Sequence, residues 1–293
     1  MGTSIRYAIC NEIFVGRKVT DVFRLAAEVG YDAVELAPYT LAPSITELTA
    51  DRRVSIAAEA RSAGVAIAGL HWLLVGPVGL HVSSADREVR SRTVVYLREL
   101  IRACADLGGS VLVFGSPKQR SIGLLADRDA AIGRAIETFA ACARAAREAG
   151  VTLCLEPLPT AETDFINTVA EAVELVRVIG EPALRMMLDV KSMCAEIASG
   201  LASASTSASL GLPELIRLGA PYCAHFHAND ANRGGPGFGA VDFVPIFRCL
   251  AEVGYAGYVS VEAFEYQTGA ESVARESLAY LRGCAALAEA PER

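Results

Sequence analysis

The chain has no run of basic residues, no pair of cysteines spaced C-x-x-C, no G-K-[ST] tripeptide, only four histidines and a single tryptophan. Each absence excludes something. Nucleic acids are held chiefly by clustered Lys and Arg on the phosphate backbone, and a net charge of −7 without a basic patch argues against that partner. Without paired cysteines there is no signature of a structural zinc or a dithiol redox centre. The eight cysteines, at positions 10, 104, 142, 154, 194, 223, 249 and 284, lie far apart in mostly apolar surroundings and read as reduced core residues. The glycine-rich stretch NRGGPGFGAVD (232–242) has neither the P-loop ending nor the dinucleotide spacing, so no nucleotide cofactor is expected. A long apolar run is missing too. The greasiest window, 65–82, is interrupted by Gly69, His71, Gly76, Pro77, Gly79 and His81, which a membrane helix would rarely carry. Residues 1–9 alternate like a first strand and lack the build of a signal peptide, so a cytoplasmic location is expected.

What is present is apolar material in quantity. Of 293 residues, 52% are hydrophobic and 21% charged, enough for one large core and against long disorder. One phrase recurs: a helix ending in Gly, an apolar run, then a polar residue. It appears as EVGYDAVEL (28–36), SAGVAIAGLH (62–71), DLGGSVLVFG (106–115), EAGVTLCLEP (148–157), IGEPALRMMLD (179–189), LGAPYCAHFH (218–227) and EVGYAGYVSVE (252–262). With RYAIC (6–10) there are eight strands. Continuous apolar strands alternating with amphipathic helices form a parallel sheet, and eight such units close into a single (β/α)₈ TIM barrel over 1–293, with an open doubly wound sheet as the competitor. The helices are predicted at 19–29, 50–63, 84–107, 126–149, 168–179, a broken segment over 191–218, 242–253 and 268–288. The small, polar stretch SGLASASTSAS (199–209) is expected to be a mobile loop.

In such a barrel the C-terminal strand ends face the active site. Those ends carry Cys10-Asn11-Glu12, Glu35, His71, Ser116, Glu156, Asp189, His227 and Glu262. A lone acid after a strand is commonly a helix cap. Glu156, Asp189, His227 and Glu262 close four consecutive strands, and carboxylates crowded there are most simply neutralised by one divalent cation. A set of mostly oxygen with one imidazole suits Mn²⁺ or Mg²⁺, with Co²⁺ as a further candidate. A cation so placed can grip adjacent oxygens of a hydroxyketone and stabilise the enediolate formed when the neighbouring C–H loses its proton. Glu156 and Glu262 are then the candidate catalytic bases for epimerisation or aldose–ketose isomerisation.

Four segments, LEPLPTAETDFINT (155–168), MMLDVKSM (186–193), AHFHANDANRGGPGFGAVDF (224–243) and YVSVEAF (258–264), together resemble the xylose-isomerase-like barrels of sugar phosphate isomerases and epimerases. In pattern they are nearest to ketose 3-epimerases of the D-tagatose/D-allulose type. The resemblance implies the same four metal ligands, with Glu156 and Glu262 as the base pair, and adds Glu162 and Arg233 as substrate-binding positions. It also implies a homodimer. It breaks at Ser192, where the 3-epimerases usually have a histidine that touches substrate, and this points to a different sugar, phosphorylated or oxidised. Lys191 is read as facing the pocket if its strand continues, as an anchor for an anionic group or else as a solvent-exposed loop lysine. His71 and Trp72 are read as a wall for the sugar or as core packing. His225 shares the parity of His227 one layer deeper and is expected to orient a ligand carboxylate. Asp242 is expected to cap the following helix. Metal-dependent lyases or dehydratases of keto-sugars and keto-inositols begin with the same proton abstraction and stay open as an alternative. A non-catalytic barrel and an apurinic-endonuclease-like repair enzyme are lesser ones, the last disfavoured by the charge.

Overall fold

The computed structural model describes residues 5–123, 127–203 and 210–290. Eight parallel strands close into a barrel in chain order: β1 (Arg6–Cys10), β2 (Ala33–Leu36), β3 (Ala66–Leu70), β4 (Val111–Phe114), β5 (Thr152–Leu155), β6 (Leu184–Asp189), β7 (Cys223–Ala228) and β8 (Tyr258–Val261). Closure is direct, since β1 pairs with β8 through Arg6 opposite Tyr258 and Ile9 opposite Val261. The open-sheet competitor is thereby excluded.

Helices α1 (Val19–Val29), α2 (Ala50–Ala63), α3 (Arg87–Leu107), α4 (Arg128–Ala149), α5 (Val169–Ile179), α6 (Val190–Ala198), α7 (Leu212–Gly219), α8 (Val244–Glu252) and α9 (Ala270–Glu289) surround it. The repeated glycine works as the sequence implies: Gly30 and Gly150 take left-handed backbone, φ 104° and 72°, and stop α1 and α4 just before a strand. Two helices start later than expected because an aspartate caps them. Asp86 accepts from the Glu88 amide at the start of α3, and Asp127 from the Ala130 amide at α4. Asp242 accepts from the Val244 amide, so it does serve the entry to α8. The broken segment resolves into α6 and α7, and most of the stretch expected to be a mobile loop, residues 204–209, lies outside the described residues.

Packing falls into an outer core between strands and helices and a smaller one within the barrel. The outer layer includes an edge-to-face pair, Phe114 of β4 against Phe139 of α4 at 5.0 Å, an arrangement that contributes about 0.5–1.5 kcal/mol beyond its buried area. Ala8, Ala33, Ala68 and Tyr258 form one interior cluster, and Val111, Val113, Cys154 and Met187 another. These residues share the inward parity of Cys10, Glu35, Glu156 and Asp189, so the lumen is apolar at its base and polar at its C-terminal mouth. Among the described residues no helix is long and apolar enough to cross a membrane.

Candidate metal centre and pocket

The four strand-end residues predicted as ligands converge. One ligand atom each from Glu156, Asp189, His227 and Glu262 lies within 4.8 Å of the others, and all four side chains are buried. β6 and β7 set Asp189 directly opposite His227. Glu156 and Glu262 stand one residue beyond their strands, where their amides still donate to the carbonyls of Phe114 and Ala228 at 3.2 and 3.1 Å. Two of the ligands are thus fixed by ladder bonds, and all four sit at strand ends, not on free loops.

Several features match this cluster to a divalent cation. Three buried carboxylates repel one another unless neutralised. Burial, with the charges of Glu262 and Asp189, pushes the Glu156 carboxyl above the usual range. Burial would raise Glu262 as well, but the imidazoles of His227 and His71 outweigh it and hold this carboxyl low. His227 turns Nδ1 inward, 3.2 Å from Glu262 Oε2 and 4.0 Å from Asp189 Oδ2, with no hydrogen-bond partner. Gly115, after β4, leaves room that a Cβ would fill, since a methyl there would overlap Glu156 Oε2. Three oxygen donors and one nitrogen are a donor set that fits a divalent cation.

Supporting residues to which sequence reasoning assigned no role surround the cluster. Glu35 of β2, wholly buried, accepts from Nε2 of His225 at 2.7 Å and meets Nε2 of His227 at 3.2 Å. Burial opposes its charge, but these two imidazoles overcome that and hold it well below the carboxylate range. His225 therefore orients Glu35 and not, as expected, a ligand carboxylate. Glu35 in turn fixes which nitrogen of His227 points at the cation site. Asn229 donates to Asp189 Oδ2 at 2.6 Å and to Glu262 Oε2 at 3.4 Å, while its carbonyl accepts from the Lys191 amide at 2.8 Å. Its position two residues after His227, with the same parity, was the available signal. Arg120, fully buried, donates to the carbonyls of Glu156 at 2.6 Å and Ile166 at 3.2 Å, tying together both ends of the loop that carries Glu162.

Beside the ligands opens a pocket whose lining includes His71, Trp72, Glu162, Lys191 and Phe264 with Glu156, His227 and Glu262. His71 Nε2 lies 2.9 Å from Glu12 Oε2 and Nδ1 3.6 Å from Glu262 Oε1. Burial disfavours its charge, but those carboxylates raise its pKa to about 10. Glu12, which sequence reasoning noted but gave no role, is thus part of the site. Trp72 takes left-handed backbone (φ 53°), packs edge-on to Phe264 and Tyr39, and leaves its indole Nε1 without a partner.

Three expectations need correction. Lys191 does face the pocket, but not by continuing a strand: Asp189 is the N-cap of α6, with Oδ1 accepting from the Ser192 amide at 2.7 Å, and Lys191 stands in the first helical turn. Ser192 is buried in that turn, outside the pocket lining, with its hydroxyl unpartnered. Arg233 also lies outside the lining; its guanidinium stacks 4.8 Å from the Phe264 ring and pairs with Glu265 at 3.4 Å.

A (β/α)₈ barrel with an oxygen-rich ligand cluster at its C-terminal mouth defines a class of metal-site barrels. Residues 23–284 match the model of the xylose isomerase-like TIM barrel family, and the chain belongs to that family. It is 30% identical over 196 residues to an L-ribulose 3-epimerase of Mesorhizobium japonicum, a match covering 67% of this chain and 62% of that one. Over 280 residues it is 24% identical to a 3-dehydro-D-guloside 4-epimerase of Escherichia coli, covering 94% and 98% of the two chains. In fold it is similar to the D-psicose 3-epimerase of Clostridium cellulolyticum solved with D-tagatose, with TM-score 0.79, 21% identity and 96% and 99% coverage. Epimerases of these names are isomerases acting on carbohydrates.

Proposed function

We propose that the protein is a divalent-metal-dependent sugar epimerase that inverts the carbon beside the carbonyl of a ketose, C3 when the carbonyl is C2. The observation that carries this reading is that Glu156 and Glu262, from strands 5 and 8, belong to the ligand cluster and also line the pocket. A divalent cation bound by Glu156, Asp189, His227 and Glu262 supplies Lewis-acid stabilisation of the negative charge that develops on the substrate oxygens. One of the two glutamates removes the proton on the carbon, and the other, protonated, returns one to the opposite face. Asn229 and Glu35 hold the ligand carboxylates and the imidazole in register, so the bases do not wander between the two half-reactions. The His71 imidazole and the Trp72 indole N–H offer polar contacts to sugar oxygens, and the Trp72 and Phe264 rings keep water from the reacting carbon. The reading includes a homodimer in the cytoplasm and no nucleic-acid partner; light scattering on the eluting protein would report about twice the chain mass.

The test is incubation with a panel of ketoses and Mn²⁺ in D₂O. Deuterium at C3 with inversion, absent from Glu156→Gln and Glu262→Gln, is the expected result, and a panel without exchange would refute it. A second reading, inversion at C4 of a 3-keto-sugar, draws on the near full-length match to the 3-dehydro-D-guloside 4-epimerase. It uses the same proton abstraction next to a carbonyl. Adding 3-keto-glycosides to the panel separates the two by which carbon takes up the label, and loss of water would instead reveal a dehydratase.

A further inference from the structure

We propose that Lys191 and Glu162 form a charge-neutral clamp that selects an uncharged, hydroxyl-bearing end of the substrate and rejects a phosphate or carboxylate there. The inference rests on the pocket being the sugar site and deepens that reading. A lysine in a sugar pocket ordinarily advertises an anion-binding position. Here the ammonium is already answered: Lys191 Nζ lies 2.8 Å from Glu162 Oε1, only 7% of the side chain is exposed, and the Phe264 ring sits 4.8 Å from the same nitrogen. Among the described lining residues Lys191 is the one Lys or Arg, while Glu156, Glu162 and Glu262 share the wall. An incoming phosphate at this position would have to break the ion pair or lie against the Glu162 carboxylate, and either route carries a desolvation or like-charge cost. A pair of hydroxyls meets no such conflict. Lys191 donates to one and Glu162 accepts from the other, without a change in net charge.

The clamp is also anchored on two sides. Glu162 rides the loop whose ends Arg120 holds, and Lys191 stands in the first turn of α6 with its amide bound to Asn229. Both partners are therefore placed by the framework that places the ligands, and this supplies a polar contact where Ser192 does not reach.

The experiment measures inorganic phosphate binding to the Mn²⁺-loaded protein by calorimetry, for wild type, Glu162→Gln and the double variant with Lys191→Met. Removing the carboxylate's charge deprives the Lys191 ammonium of its ion-pair partner, so Glu162→Gln binds phosphate at least about tenfold more tightly than wild type, and the double variant returns to the wild-type value. Equal binding in wild type and Glu162→Gln, or a gain that survives in the double variant, overturns the clamp. The unaltered protein gives a second measure: a ketohexose phosphate ester competes at least about tenfold more weakly than the free ketohexose, and tighter or equal binding of the ester overturns it as well. Both assays read binding and not turnover, so absence of epimerisation would defeat the function proposed above while leaving this result legible.

Discussion

Glu35 stands between two imidazoles, 2.7 Å from Nε2 of His225 and 3.2 Å from Nε2 of His227, at a depth where no solvent reaches any of the three. A carboxylate on one nitrogen of His227 commits the other, Nδ1, to the ligand cluster.

Glu35→Gln keeps the volume but removes the charge and presents an amide that can donate to the wrong nitrogen. Mn²⁺ affinity should fall about 10- to 100-fold with the barrel still folded. Calorimetric titration with Mn²⁺, beside a circular dichroism melt, reads both; unchanged affinity would remove Glu35 from the site.

Loading the cation should stabilise the fold, because binding to the native state alone contributes about 2.7 kcal/mol at a hundredfold excess over Kd. Chelation should therefore lower the wild-type Tm and Mn²⁺ should restore it. Asp189→Asn, which retains the cap on the Ser192 amide, should melt near the chelated wild type and not respond to Mn²⁺. A metal response equal to wild type in this variant would show that Asp189 is not a ligand.

Gly115→Ala makes a sharper probe, since the added methyl collides with Glu156 Oε2 and not with the backbone. Stability should change by less than about 1 kcal/mol, and Mn²⁺ affinity should drop about tenfold or more as Glu156 is displaced. Retained affinity would mean that Glu156 has another rotamer from which to ligate.

Away from the site, Glu196 gives the fold a pH dependence. Its carboxylate accepts from the Val169 amide at the start of α5, but burial raises it to about 7. The unfolded chain ionises this group near the ordinary value of 4.5 and the native protein resists until about 7, so stability is full below that window and declines as pH rises through it. Glu196→Gln keeps the acceptor and removes the penalty. It should match wild type near pH 4 and exceed it above pH 7 by on the order of 1–2 kcal/mol, read as Tm across pH.

The fold was legible because its punctuation is local. Gly30 and Gly150 end helices wherever they stand, and apolar strands announce themselves by composition, so the barrel could be read to within a few residues. The ligands were legible for a related reason: a polar residue closing an apolar strand is visible in one dimension. Glu35 was visible in the same way but its role was not, and Asn229 went unnoticed, because their importance lies in contacts across strands far apart in sequence. Lys191 shows how local logic misleads. Its parity argument assumed a strand where Asp189 had already begun a helix, and a charge that looks available in sequence is spoken for by Glu162, 29 positions away.

Glu156, His227 and Glu262 of the ligand cluster line the same pocket as Trp72, Lys191 and Phe264, and that shared space bears on the order of events. A cation held by these ligands would share its opening with the substrate of the proposed reaction. On the proposed function, the cation would then load before the sugar and leave after it. Such a protein gives up its ion readily only between turnovers, so a chelator should act slowly in the presence of saturating substrate and quickly without it.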